Sequence, residues 1–212
     1  MTRFIFVRHG ESEANLLGVF AGHYDAPLTK RGVRQAELTA AFLRDTPIDA
    51  AYASDLRRAF VTGECIAAPH ALSVQPDRQL REIDGGAWEG VPFSALAPRW
   101  AAEYDAWMHH LDTARCPGGE SVGELQDRVN AELERIAAMN EGRTVLIATH
   151  ATPIRVMELL MRGWPLGRIG EVPWVPNASV TIADYDAGAW RVILRGAAGH
   201  LGALETMLPT NI

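Results

Sequence analysis

The sequence predicts an α/β fold: a three-layer sandwich in which helices flank a mostly parallel central sheet, with a small helical cap insertion and a C-terminal edge hairpin. Three observations carry this. Short continuous apolar runs alternate with amphipathic helical stripes, the pattern of strands covered on both faces. Polar clusters follow several of those runs, where ligands bind in open α/β sheets. The 212 residues, 48% hydrophobic and 22% charged, suit one domain over residues 1–212 with a full core.

In chain order, Phe4–Val7 is a continuous run of β formers and reads as a buried strand. Residues 30–45 carry Val33, Ala36, Ala40 and Leu43 at helical spacing and stop before Pro47. Ala50–Ala53 is a shorter apolar run ahead of Ser54, and a helical stripe from Asp55 follows through Leu56, Ala59, Phe60, Gly63 and Ile66 to Pro69. Residues 92–115 read as the inserted cap: Leu96, Trp100, Tyr104, Trp107 and Leu111 repeat at helical spacing, with Pro98 near a helix start. Such a stripe is usually packing, but a cap over one end of the sheet would use it for ligand contact as well.

The strongest helix spans 122–139, with Val122, Leu125, Val129, Leu133, Ile136 and Met139 at spacings of three and four. Ser121 and Glu124 form a capping box at its start. Thr144–Ala148 is the next buried strand, and a further helix is expected from Thr152-Pro153, a cap residue followed by proline at the first helical position. Ser179–Ala183 and Trp190–Leu194 flank a turn at Asp184–Gly188, which gives the edge hairpin.

A net charge of −6 and a pI near 5.6 argue against a general nucleic-acid binder, which needs a basic surface to displace counterions. Cys65 and Cys116 lie far apart and imply neither a disulfide framework nor a thiolate zinc site. The Phe4–Val7 run is too short for a signal peptide or membrane span, so the expectation is a soluble cytoplasmic protein without membrane partners. Monomer and homodimer both stay open. Nineteen of the 20 basic residues are arginine, Lys30 being the single lysine. Coding bias would produce this, and so would recognition of phosphate or carboxylate by planar guanidinium groups.

Four clusters stand where strands end: Arg8-His9-Gly10-Glu11-Ser12, Ser54-Asp55-Leu56-Arg57-Arg58-Ala59, Arg81-Glu82-Ile83-Asp84 through Trp88-Glu89-Gly90, and Thr149-His150. A lone histidine at a strand end is usually structural. Two of them, with arginines in reach and a carboxylate elsewhere, are what phosphoryl transfer through a phosphohistidine needs. Neutral imidazole is the nucleophile, arginines neutralise the phosphoryl oxygens, and a carboxylic acid protonates the departing alkoxide.

These residues resemble the signature of the histidine phosphatase superfamily, the phosphoglycerate mutase-like fold. The resemblance runs from Phe6-Val7-Arg8-His9-Gly10-Glu11-Ser12 through Asn15, Gly22–Thr29, Gly32, Gln35-Ala36, Ser54–Ala59, Leu80–Gly90, Pro117–Ser121 and Thr149-His150. It implies His9 as the phosphorylated nucleophile and Glu82 as proton donor to the leaving group and later base for water. It implies a phosphate pocket of Arg8, Arg58 and His150, with Asn15 as a further donor and Ala151 beside it. No metal or other cofactor is implied, and the partner is a small phosphorylated metabolite: α-ribazole phosphate, a sugar phosphate or phosphoglycerate, phosphoserine, or a broad range. Arg57 sits one residue from Arg58 on a helix and is expected in solvent. Phe20, Tyr24 and Trp88, with the cap aromatics, are expected to shape the alcohol side.

Two positions depart from the family pattern. Ala151 stands where glycine usually follows the second histidine, and Ala14 where an aromatic often precedes the asparagine. Neither removes a catalytic group. Among rivals, Asp184-Tyr185-Asp186 has the spacing of an aspartate-nucleophile phosphatase but reads as a solvated turn. His109-His110 are adjacent and face different ways, so they make no metal site, and no G-x-x-x-x-G-K-[ST] loop occurs. A phosphoglycerate mutase would share every residue named. The short chain, ending soon after Leu208-Pro209, favours water as acceptor and hence a phosphatase. A catalytically dead phospho-ligand binder ranks last, since His9, Glu82 and His150 are all present.

Overall fold

The computed structural model describes residues 1–206; Leu208-Pro209 lie outside the described residues. Strand β1 (Thr2–Arg8) runs parallel to β4 (Thr144–Thr149), which pairs in parallel with β2 (Ala50–Ser54), itself parallel to β3 (Val74–Asp77). On its other side β1 pairs antiparallel with β5 (Val180–Asp186), and β5 with β6 (Ala189–Ala197). The order β3-β2-β4-β1-β5-β6 is thus a mostly parallel sheet with an antiparallel hairpin at one edge.

Alternation along the strands explains the two outer layers. Ile5, Val7, Ala51 and Leu146 point to one face, where they pack with Ala40 and Leu43 of helix α2 (Lys30–Leu43) and Ile66 and Ala67 of α3 (Arg57–Ala67). Here α2 follows a short helix, α1 (Glu13–Leu17). Phe4, Phe6, Tyr52, Val145 and Ile147 point to the other face, against Leu125, Val129, Leu133 and Ile136 of the long helix Val122–Met139 and Val156, Met157 and Leu159 of the helix Ala151–Arg162. Both strand faces are dry, which is why these strands read as unbroken apolar runs.

The cap segment holds two helices, α4 (Phe93–Arg99) and α5 (Ala101–His109), so the long helices of the second layer are α6 (Val122–Met139) and α7 (Ala151–Arg162). The expected single stripe is broken at Trp100, whose extended φ of −140° separates the helices, and Pro98 lies near the end of α4 rather than at a helix start. Leu96, Trp107 and Leu111 are still buried together, with Trp100 and Tyr104 packed against them.

Three further boundaries differ from expectation. Helix α7 begins at Ala151 with His150 as its cap residue, placing Pro153 third rather than first; each of these first-turn positions tolerates a missing N–H. The hairpin turn is only Ala187-Gly188, both at positive φ, and Asp184 is no solvated turn residue. It lies buried in β5 and bonds Arg3 and Arg191. Strand β3 has no strand signature in the sequence because Pro76 breaks its pattern; a proline that cannot donate is tolerated on an edge strand. Among the described residues no helix is long and apolar enough to cross a membrane.

Candidate active site

The carboxyl ends of β1, β2 and β4 meet at one point. Arg8 is the last residue of β1 and His9 follows it, its N–H donating to the Thr149 carbonyl 2.9 Å away. The chain then crosses the start of α2 so closely that a Cβ on Gly10 would fall 2.3 Å from the Gly32 carbonyl oxygen. Two glycines therefore set the height at which His9 leaves the sheet. Beyond β2, Arg57 and Arg58 open α3 and diverge. Arg57 is exposed and pairs with Asp25 at 3.1 Å, whereas Arg58 is fully buried.

His9 is buried with Nδ1 2.7 Å from the Gly10 carbonyl oxygen. A carbonyl only accepts, so Nδ1 carries the proton and Nε2 presents its lone pair. Burial first, and then the guanidinium groups of Arg58 and Arg8, hold the ring well below its ordinary pKa. His9 is thus neutral and correctly tautomerised for nucleophilic attack.

The surrounding donors are incompletely used. Arg8 gives one terminal N–H to the Val175 carbonyl at 2.6 Å, and Arg58 gives its two terminal nitrogens to the carbonyls of Tyr24 and Gly22 at 2.9 and 2.8 Å. The Nε atoms of both arginines, and Nδ1 of His150, are buried without a partner. Burial lowers each arginine to about 10, leaving both charged at neutral pH. His150 Nε2 lies 2.8 Å from Ser54 Oγ, and burial and Arg58 hold this ring, too, well below its usual value. Buried polar groups are rarely left unsatisfied, and two charged guanidinium groups, each with a partnerless Nε, line one cleft with a neutral imidazole, the composition of a seat for an anion. The N-terminus of α7 adds to it: its cap residue His150 makes no side-chain cap bond, and Ala151 and Thr152 border the cleft with the positive end of the helix dipole.

Glu82 enters the same cleft from the loop after β3. Its carboxylate accepts the N–H of Ile83 at 2.9 Å and that of Thr152 at 3.3 Å. The loop backbone is clamped by Arg128 of α6, which donates to the carbonyls of Gln79, Arg81 and Glu82 at 2.7 to 3.0 Å and pairs with Glu120. Thr149 Oγ1 donates to Leu80 at the base of this loop.

The family model described as the histidine phosphatase superfamily (branch 1) matches residues 4–197. The chain belongs to that superfamily. Its superfamily relatives include phosphoserine phosphatase 1 of Hydrogenobacter thermophilus, 29% identical over 202 residues and 95% of each chain. They also include phosphoglycerate mutase-like protein 4 of Arabidopsis thaliana, 33% identical over 93% of this chain and 86% of the relative. Mycobacterial relatives 35% identical to it are longer, and the chain spans 55% of their length. Among solved structures, Bacillus stearothermophilus YhfR superposes with a TM-score of 0.91 at 28% identity, over 95% of this chain and all of that one.

Of the superfamily residues expected from the sequence, Arg8, His9, Asn15, Arg58, Glu82 and Ala151 line one cleft. His150 lies beside it, fully buried, its ring centroid 5.1 Å from that of His9. Asn15 spends its oxygen on Ser12 and Asn177, which leaves its amide N–H groups for the cleft. The methyl of Ala151 occupies the cleft edge without displacing any of these groups, and Ala14 is buried away from it. On the alcohol side Phe20 lines the cleft as expected, but Tyr24 is exposed and Trp88 is sealed in the core beneath Phe20. Their places are taken by Phe93 and Trp107 of the cap and by Trp174. Trp174, and Asn177 with its bond to the His9 carbonyl, come from the irregular stretch before β5, where no periodicity marks a residue as facing the site.

Among the described residues one group could offer metal ligands: atoms of His23, Asp84 and Glu89 lie within 4.8 Å of one another. Glu89 Oε1 already accepts the N–H groups of His23 and Gly85, and Asp84 Oδ1 that of Gly86. The cluster is occupied in closing the Glu82 loop, and it lines a different surface from His9.

Proposed function

We propose that the protein is a metal-independent phosphatase that hydrolyses small phosphomonoesters through a phosphohistidine at His9. The single observation that carries this reading is the neutral, Nε2-accepting His9 in one cleft with Arg8, Arg58 and Glu82. A dianionic phosphoryl group at His9 is met there by the guanidinium charges of Arg8 and Arg58. His9 Nε2 attacks phosphorus, the P–O(alkyl) bond breaks, and Glu82 in its acid form gives its proton to the leaving oxygen. Arg8, Arg58, His150 and the Asn15 amide hold the phosphoryl oxygens as they become equatorial. Glu82, now a carboxylate, takes a proton from water, which attacks the phosphohistidine and releases inorganic phosphate and neutral His9. The positive charge that a metal supplies in other phosphatases comes here from two permanently charged guanidinium groups.

Phosphatase names among the relatives support hydrolysis, and the mutase-like relative keeps one alternative: transfer of the phosphoryl group back to a phosphoglycerate. Turnover of p-nitrophenyl phosphate with a chelator present tests the reading, with His9→Ala as the control. The expected result is phosphate release by the native chain and loss of at least about 10³-fold in the variant. Activity retained in His9→Ala contradicts it. Incubation with 3-phosphoglycerate separates the alternative, since a mutase forms 2-phosphoglycerate.

A further inference from the structure

Beyond the anion seat, the cleft has an unusual balance of groups. Its alcohol side is walled by Val19, Phe20, Ile83, Phe93, Trp107 and Trp174. The fixed positive charges among its lining residues are Arg8 and Arg58 alone, both close enough to His9 to depress its pKa. The remaining ionisable side chain in the lining besides His9 is Glu82, an acid. The side-chain polar group left on that side is the Thr152 hydroxyl, which is neutral.

The wall is built firmly. Phe20 packs edge-on to Trp107 with centroids 5.3 Å apart and meets Phe93 at 5.8 Å. Trp174 is fixed from behind by three arginines on three elements. Arg155 of α7 lies 4.1 Å from its ring and donates to the carbonyls of Ile169 and Val172. Arg195 of β6 holds Pro173, and Arg8 holds Val175. Arg155 itself opens on a neighbouring cleft with Asp112 and Gly167, and the indoles of Trp107 and Trp174 border both clefts. A second anion on a substrate seated at His9 would therefore meet indole where it needs a cation, and losing water without an ionic partner is costly.

We infer that the preferred substrates are phosphomonoesters of uncharged alcohols bearing an apolar or aromatic group, and that phosphorylated acids such as phosphoglycerate and phosphoserine are selected against. This rests on the phosphatase reading and narrows it. An aromatic group gains burial against Phe93 and Trp174, while a carboxylate in the same place gains nothing.

The test is phosphate release by the full chain from 2-phenylethyl phosphate, O-phosphoserine and 3-phosphoglycerate, with p-nitrophenyl phosphate run alongside. The first three have alkyl leaving groups, so the chemistry asked of Glu82 is similar. The expected kcat/KM for 2-phenylethyl phosphate exceeds that for either acid by about tenfold or more. In Trp174→Ala the ratio should fall toward unity through a higher KM for the aromatic ester, and Phe93→Ala provides the same readout if the first variant folds poorly. Equal or better turnover of either acid overturns the substrate class and leaves the phosphatase intact. No release from any ester, p-nitrophenyl phosphate included, overturns the phosphatase reading and this inference with it.

Discussion

The rings of His9 and His150 meet edge-on with centroids 5.1 Å apart and planes at 61°, two buried imidazoles with no carboxylate in ion-pair distance among the described residues. Each is held below its ordinary pKa by burial first and by Arg58 next. The unfolded chain binds protons on both near pH 6.5 while the folded chain does not, so the native state loses stability as pH falls below about 6.5. Each ring contributes a slope of up to about 1.4 kcal/mol per pH unit in that window. Urea unfolding at pH 7.5, 6.5 and 5.5 should show a shallower slope in His150→Gln than in the native chain. An unchanged slope would mean the ring is charged in the fold.

The same shift governs catalysis. Because the pKa of His9 is depressed, its Nε2 lone pair stays available on the acid side of neutrality. The acid limb of log kcat/KM against pH, which reports the free enzyme, should fall below pH 6.5. A limb assigned to His9 above 6.5 would contradict the neutral imidazole.

Glu82→Gln removes the proton donor and keeps the shape of the loop. Esters of alkyl alcohols, whose alkoxides leave poorly, should lose about 10²-fold or more in kcat, and p-nitrophenyl phosphate much less. Steady-state comparison of the two substrates checks this; equal losses would take the acid role away from Glu82.

Arg128 is not among the residues that line the His9 cleft, yet it bonds three carbonyls of the loop that carries Glu82, that of Glu82 included. As a positioning residue it should show the leaving-group pattern of Glu82 in weaker form. Arg128→Lys, which cannot span three carbonyls and Glu120, is expected to cost alkyl esters about tenfold in kcat and aryl esters less. A uniform loss on both, tracking a lower Tm, would reduce Arg128 to a structural role.

Much of this site could be read from the chain because its chemistry is local to strand ends. Arg8-His9, Arg58 and Thr149-His150 each follow an apolar run that marks a strand, and the parallel sheet gathers their ends; Glu82, which follows the unmarked strand β3, is legible only through the motif around it. The substrate wall was less legible. Trp88 and Trp174 look alike in one dimension, but Trp88 sits under Phe20 in the core and Trp174 faces the cleft. What separates them is the clamp of Arg155, Arg195 and Arg8 on the backbone around Trp174, contacts between residues far apart in sequence. Those clamps also give work to arginines for which composition left coding bias and anion recognition both open: Arg128 and Arg155 bond backbone carbonyls that no shorter or less branched cation would reach together.

The central claim is that the phosphoryl group passes through His9. Rapid mixing with p-nitrophenyl phosphate, an alkaline quench that preserves phosphohistidine, and peptide mass spectrometry test it most directly. The account predicts one phosphoryl group on the peptide containing His9, formed in the first turnover and absent from His9→Ala. A phosphoryl group on any other residue, or full turnover with no phosphorylated enzyme at any quench time while product forms in a burst, would contradict it.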